Sequence, residues 1–216
     1  MADYIFFDLD GTLTDPKKGI TTAVQYAAKH YCGVEIEDRD TLTPFIGPPL
    51  DESFMKYFNL TKKQAQEAVE CYREYYRPIG VFENTVYEGI PELLRDLKAA
   101  CKTVIMATSK PEIFANQIAE HYGFSEYFDN ITGSTLDGSL VKKGDVIRLA
   151  LERLGNPPAD DCIMVGDRLH DIDGGKENGM KTVGVLYGYG SREELTEHGA
   201  DIIAGTVKEL RDYLIS

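Results

Sequence analysis

The chain has 216 residues, of which 43% are hydrophobic and 27% charged, and 36 Asp plus Glu outweigh 23 Lys plus Arg to give a net charge of −13. That length holds one good core, or a core with a smaller module. The charge argues against a nucleic acid polymer as partner, because no basic patch offsets it. The longest apolar runs, such as TVIMA (Thr103–Ala107), fall far short of the roughly 18 residues that a membrane span needs.

MADYIFFDLD at the N-terminus has no positive n-region, so no signal peptide is expected. Cys32, Cys71, Cys101 and Cys162 form no CxxC pair, which indicates reduced thiols in a cytoplasmic protein.

In chain order, residues 3–8 read as a short buried strand. Helices are expected at 20–31, 50–58 and, opened by a Thr61/Gln64 capping box, 61–77. From residue 91 the pattern changes to alternation. Helix 91–100, strand 103–107, helix 111–122, strand 130–132 and helix 145–154 are followed by strand 162–165 and helix 171–178. Strand 182–186, helix 192–198, strand 201–204 and helix 207–215 complete the chain. Short continuous apolar strands alternating with helices predict βαβ units in a parallel sheet covered on both faces. The fold class is therefore α/β. A Rossmann-like parallel sheet core (residues 1–15 and 83–216) is interrupted by an all-helical insertion, residues 16–82.

In such sheets ligands sit at the carboxyl ends of the strands. The first strand ends in Asp8-Leu9-Asp10-Gly11-Thr12. Strand 103–107 ends in Thr108-Ser109-Lys110, and strand 162–165 in Gly166-Asp167, with Asp171 close behind. Lys142 and Lys143 precede the helix at 145. Singly, most of these have plain readings: Ser109 with Glu112 fits a capping box, and Asp171 fits an N-cap. Lys143 at a helix start opposes the macrodipole, which suits a neighbouring anion. A calcium loop counted from Asp8 fails, because its twelfth residue is Gly19 and its glycine is misplaced. Gly188-Tyr189-Gly190-Ser191 fits neither GxGxxG nor a Walker loop. With Ser191 and Glu194 as a capping box, it reads as a strand-to-helix turn.

The set resembles the haloacid dehalogenase superfamily. Asp8-x-Asp10-Gly11-Thr12, Thr108, Lys143 and Gly166-Asp167-x-x-x-Asp171 resemble its four motifs in order and spacing. The string from Gly166 to Ser191 resembles the phosphoglycolate phosphatase-like and 5′-nucleotidase-like branches, and the insertion resembles the helical cap. Lys143 is followed by Gly144 where this branch often has proline, so Lys142 competes for the third motif.

The resemblance implies a Mg²⁺-dependent phosphatase acting on a small phosphorylated metabolite through an aspartyl-phosphate. Phosphoglycolate comes first as substrate, with nucleoside monophosphates as the alternative. Asp8 is the implied nucleophile and Asp10 the acid and base. Thr108, Ser109 and Lys143 bind phosphate. Asp8, the Asp10 carbonyl and Asp167 hold the metal, and Asp171 supports it from outside. Asp10 favours phosphoryl over dehalogenation chemistry, and Thr12 favours hydrolysis over a phosphomutase. A phosphoacceptor signalling domain would lack both the second aspartate and the insertion. No membrane partner is expected, and monomer and homodimer both remain open.

Overall fold

The computed structural model describes residues 2–215, and they divide into two compact units: residues 2–15 with 86–215, and Pro16–Thr85. The first unit is the α/β part. Its six strands are β1 (Tyr4–Phe7), β4 (Thr103–Pro111), β5 (Asn130–Ser134), β6 (Cys162–Gly166), β7 (Lys181–Val185) and β8 (Ile202–Ala204). Their order is β5-β4-β1-β6-β7-β8, and every pairing is parallel. The intervening labels β2 (Thr14–Asp15) and β3 (Thr85–Val86) belong to a separate two-stranded sheet where the chain leaves and re-enters this unit.

β1 is the centre of the sheet. Its residues Ile5, Phe6 and Phe7 are all buried, which is why the strand reads as a continuous apolar run. Successive side chains take opposite faces. Phe6 joins Ile105, Ala107, Cys162 and Met164 in one cluster, closed by Val146, Ile147 and Ala150 of helix α6 (Lys143–Arg153). Removing a side chain of this size from water stabilises the fold by about 1.5–3 kcal/mol. The remaining helices of this unit are α4 (Ile90–Ala99), α5 (Glu112–His121), α7 (Leu169–Glu177), α8 (Arg192–Glu197) and α9 (Val207–Ile215).

The second unit is helical, with α1 (Lys17–His30), α2 (Leu50–Phe58), α3 (Lys62–Tyr76) and a 3₁₀ segment, Arg39–Phe45. Ala23, Val24, Ala27 and Ala28 of α1 are buried, as are Ala65, Ala68, Val69 and Tyr72 of α3, and the two helices pack together. Phe45, Phe54, Tyr57 and Phe58 form a second, aromatic cluster. The Thr61/Gln64 capping box is formed.

Two local readings change. Ser109 does not cap α5: β4 stays extended to Pro111, with a register irregularity after Thr108, and α5 starts at Glu112. Asp171 is not an N-cap either. The N-cap is Arg168, whose N–H donates back to Asp171 Oδ2 at 3.0 Å. All four cysteines are free thiols. No helix among the described residues is long and apolar enough to cross a membrane.

Candidate active site

Three neighbouring strands, β4, β1 and β6, deliver the site at their carboxyl ends. Asp8 directly follows β1, with its N–H donating to the Val165 carbonyl at 2.9 Å. The chain then turns tightly. The N–H groups of Leu13 and Thr14 both reach back to the Leu9 carbonyl, and Gly11 N–H donates to Thr14 O at 2.7 Å. Gly11 has φ +84°, and a Cβ there would stand 2.2 Å from Asp167 Oδ2. The turn therefore needs glycine on both counts.

Lys143, the first residue of α6, is buried at 6% exposure. Its Nζ lies 2.7 Å from Asp8 Oδ1 and 2.8 Å from Asp171 Oδ1, and donates to the Ala107 carbonyl at 3.0 Å. Lys142 is exposed and makes no such contact. Burial works against the Lys143 charge, but Asp171 and Asp8 outweigh it and raise the ammonium pKa above its ordinary value.

Asp10 turns the other way, to a cation the sequence reading gave no role. Lys110 Nζ stands 2.8 Å from Asp10 Oδ2, and both side chains are almost enclosed. Burial raises the Asp10 pKa above 3.8, even with Lys110 opposing it. Asp10 Oδ1 is buried without a hydrogen-bond partner. Thr108 is buried, and its Oγ1 accepts from Lys110 N–H at 3.2 Å. Ser109 follows it, half-buried, in the irregular part of β4.

Asp167 is fully buried. Its Oδ2 accepts from Tyr189 N–H at 2.8 Å, and its Oδ1 has a long contact with Thr12 Oγ1 at 3.4 Å. Burial, then Asp171 and Asp8, raise its pKa well above the ordinary carboxylate range. Asp171 is pushed up to about 6, first by burial, with Lys143 opposing.

Oxygens of Asp8, Asp167 and Asp171 lie within 4.8 Å of one another. Lys143 pairs with two of these carboxylates, and no ion pair reaches Asp167 among the described residues. Crowded hard oxygens with too little positive charge are the donor set that suits Mg²⁺. Asp171 has one oxygen on Lys143 and the other on Arg168 N–H, which leaves Asp8 and Asp167 as the carboxylates that could hold an ion directly. The Asp10 side chain lies outside this cluster and could add only its carbonyl.

The sequence-derived residues Asp8, Asp10, Thr108, Lys143, Asp167 and Asp171 thus share one rim. Lys110 and Tyr189 join them. A lysine two residues beyond Thr108 was visible in the sequence, whereas Tyr189 gave no signal beyond its flanking glycines.

A family model described as haloacid dehalogenase-like hydrolase matches residues 2–179. The 5′-nucleotidase of Pseudomonas aeruginosa is 45% identical over 212 residues, 98% of this chain and 95% of that protein. The tyrosine-protein kinase PtkA of Mycobacterium tuberculosis is 38% identical over 97% of this chain and 72% of its own. The crystal structure of a predicted phosphatase from Clostridium acetobutylicum superposes with a TM-score of 0.95 at 46% identity, covering 100% of this chain and 99% of that one. With three strand-end motifs and the Lys143 ammonium at the start of α6 converging on one rim, the chain belongs to the haloacid dehalogenase-like hydrolases and is a phosphatase, a phosphoric monoester hydrolase.

Proposed function

We propose that the protein hydrolyses a small phosphate monoester through a phosphorylated Asp8, with Mg²⁺ held by Asp8, Asp167 and the Asp10 carbonyl. One observation carries the reading. Asp8 stands at the end of the central strand, with Lys143 2.7 Å away and Asp167 oxygens in the same cluster. The cation would neutralise phosphoryl charge so that a carboxylate can approach it.

In the first step an Asp8 oxygen bonds to phosphorus as the bond to the leaving alcohol oxygen breaks. Asp10 gives that oxygen its proton, a role that suits a buried carboxyl with a raised pKa and an unpartnered oxygen. Asp10 then takes a proton from the water that attacks the acyl-phosphate, so inorganic phosphate leaves and both carboxyls return to their starting states. Lys143 and the Thr108 hydroxyl bind phosphoryl oxygens, and the amide at Ser109 adds a donor.

Nucleoside 5′-monophosphates are the first substrates to test, supported by the 45% identity to a 5′-nucleotidase. Phosphoglycolate, which the sequence resemblance put first, comes next. We propose residues 16–85 as the substrate-selecting cap. Cytoplasmic location and a monomer or homodimer complete the proposal.

A phosphomonoester panel with Mg²⁺, run beside Asp8→Asn, tests this reading. Native turnover should require Mg²⁺, vanish with EDTA, and fall by at least about 10³-fold in Asp8→Asn. Native-rate hydrolysis by Asp8→Asn would refute the mechanism. Transfer of the phosphoryl group to a tyrosine rather than water would favour the reading suggested by PtkA.

A further inference from the structure

Gly188-Tyr189-Gly190 follows β7, and its sequence suggests no more than a turn. In the structure its backbone lies against Asp167. Tyr189 N–H donates to Asp167 Oδ2 at 2.8 Å. A Cβ on Gly188 would stand 2.5 Å from that same oxygen and 2.3 Å from the Gly11 carbonyl oxygen. A Cβ on Gly190 would stand 1.8 Å from the Asp167 carbonyl oxygen. The two glycines leave the room that lets the Tyr189 amide reach the carboxylate.

The other end of Tyr189 is also fixed. Its hydroxyl donates to Asp15 Oδ1, at the end of β2 and 174 positions earlier in the chain. Burial, then the Asp15 carboxylate, keep the phenol protonated and therefore a donor. One residue thus ties the Asp167 carboxylate to the strand through which the chain leaves the α/β unit.

We propose that Gly188-Tyr189-Gly190 is a positioning strap for Asp167, anchored by the Tyr189–Asp15 hydrogen bond, so that Tyr189 and Asp15 set divalent-cation affinity without touching the cation. The inference rests on the reading that Asp167 is a metal ligand. Its physical basis is the last torsion of the Asp167 side chain, an sp³–sp² bond with a broad energy well. The Thr12 contact at 3.4 Å restrains it weakly. The Tyr189 amide on Oδ2 is the short bond that fixes which way Oδ1 faces. Outer partners of a metal ligand change affinity about 10- to 100-fold.

The test titrates Mn²⁺, as a stand-in for Mg²⁺, into the metal-free full-length protein without substrate, reading free Mn²⁺ by its electron paramagnetic resonance signal. Wild type should bind and Asp167→Asn should not. If those two behave alike, the metal-ligand reading is wrong and the strap falls with it. If they differ, Tyr189→Phe, which keeps the backbone and ring, should weaken Mn²⁺ binding by about 10-fold. Asp15→Ala should do the same, and the double variant should lose little more than either alone. Asp15→Asn retains an acceptor oxygen and should stay near native affinity. A folded Tyr189→Phe that binds Mn²⁺ as wild type does, even with a lowered Tm, overturns the proposal. Should Tyr189→Phe not fold, native affinity in Asp15→Ala overturns it equally.

Discussion

At the scale of single residues, the enclosed site and the exposed periphery handle carboxylates in opposite ways. Asp8, Asp167 and Asp171 are crowded together, and Asp167 and Asp171 have raised pKa values. Asp201, before β8, is surrounded by donors instead. It accepts from Thr182 N–H and Thr182 Oγ1, both at 2.8 Å, and pairs with Lys176 at 3.3 Å. Burial opposes its ionisation, but these donors outweigh burial and hold its pKa below 3.8. A carboxyl depressed in the folded state stabilises the fold above its unfolded pKa, and the effect fades as pH falls through the folded value. The Tm gap between wild type and Asp201→Asn should therefore be constant above about pH 5 and close below 3.8. Thermal melts across that range check it, and a gap that widens on acidification would contradict the assignment.

Among the elements, legibility followed how local the cause was. Helix α3 was readable because its signal is contained in four residues. Thr61 Oγ1 accepts from Gln64 N–H at 3.4 Å, and Gln64 Oε1 accepts from Thr61 N–H at 3.0 Å. Thr61→Ala should cost about 1 kcal/mol in urea unfolding, while Thr61→Ser should be near neutral. The β1 and β6 ends were equally readable, since buried apolar runs stop abruptly at polar groups. The Ser109/Glu112 pattern misled because tertiary structure overrode it. β4 continues past Ser109, and Glu112 pairs with Arg153 at 2.7 Å and accepts from Gly133 N–H. β2 and β3 have two residues each, too few to show a period. Tyr189 was opaque for a different reason: its partner Asp15 is remote in sequence, and nothing nearby encodes the pairing.

On the scale of the whole molecule, a net charge of −13 meets a substrate that is itself an anion. Long-range repulsion slows encounter, while the buried Lys110 and Lys143 act only at close range. Raising NaCl from about 10 to about 150 mM shortens the screening length from about 30 to about 8 Å. At saturating Mg²⁺, kcat/KM for a dianionic substrate should then rise, with kcat little changed. A steep fall would show that local cations dominate the approach. Steady-state kinetics across that salt range decide it.

The place where the chain leaves and re-enters the α/β unit bears on how the sheet assembles. Tyr4 of β1 must find Thr103 of β4 across a long stretch of chain. Yet Tyr87 N–H donates to the Leu13 carbonyl at 3.1 Å, so the departing and returning segments already touch beside the sheet. Closing a loop costs conformational entropy that grows with its length. Once Leu13 and Tyr87 are joined, that cost has been met, and residues beyond Val86 approach β1 as if they followed it by a short turn. The order of events then matters more than the length of the insertion. Lengthening a loop inside residues 16–85 should leave the folding rate of the α/β unit little changed, whereas weakening the Leu13–Tyr87 crossing should slow it.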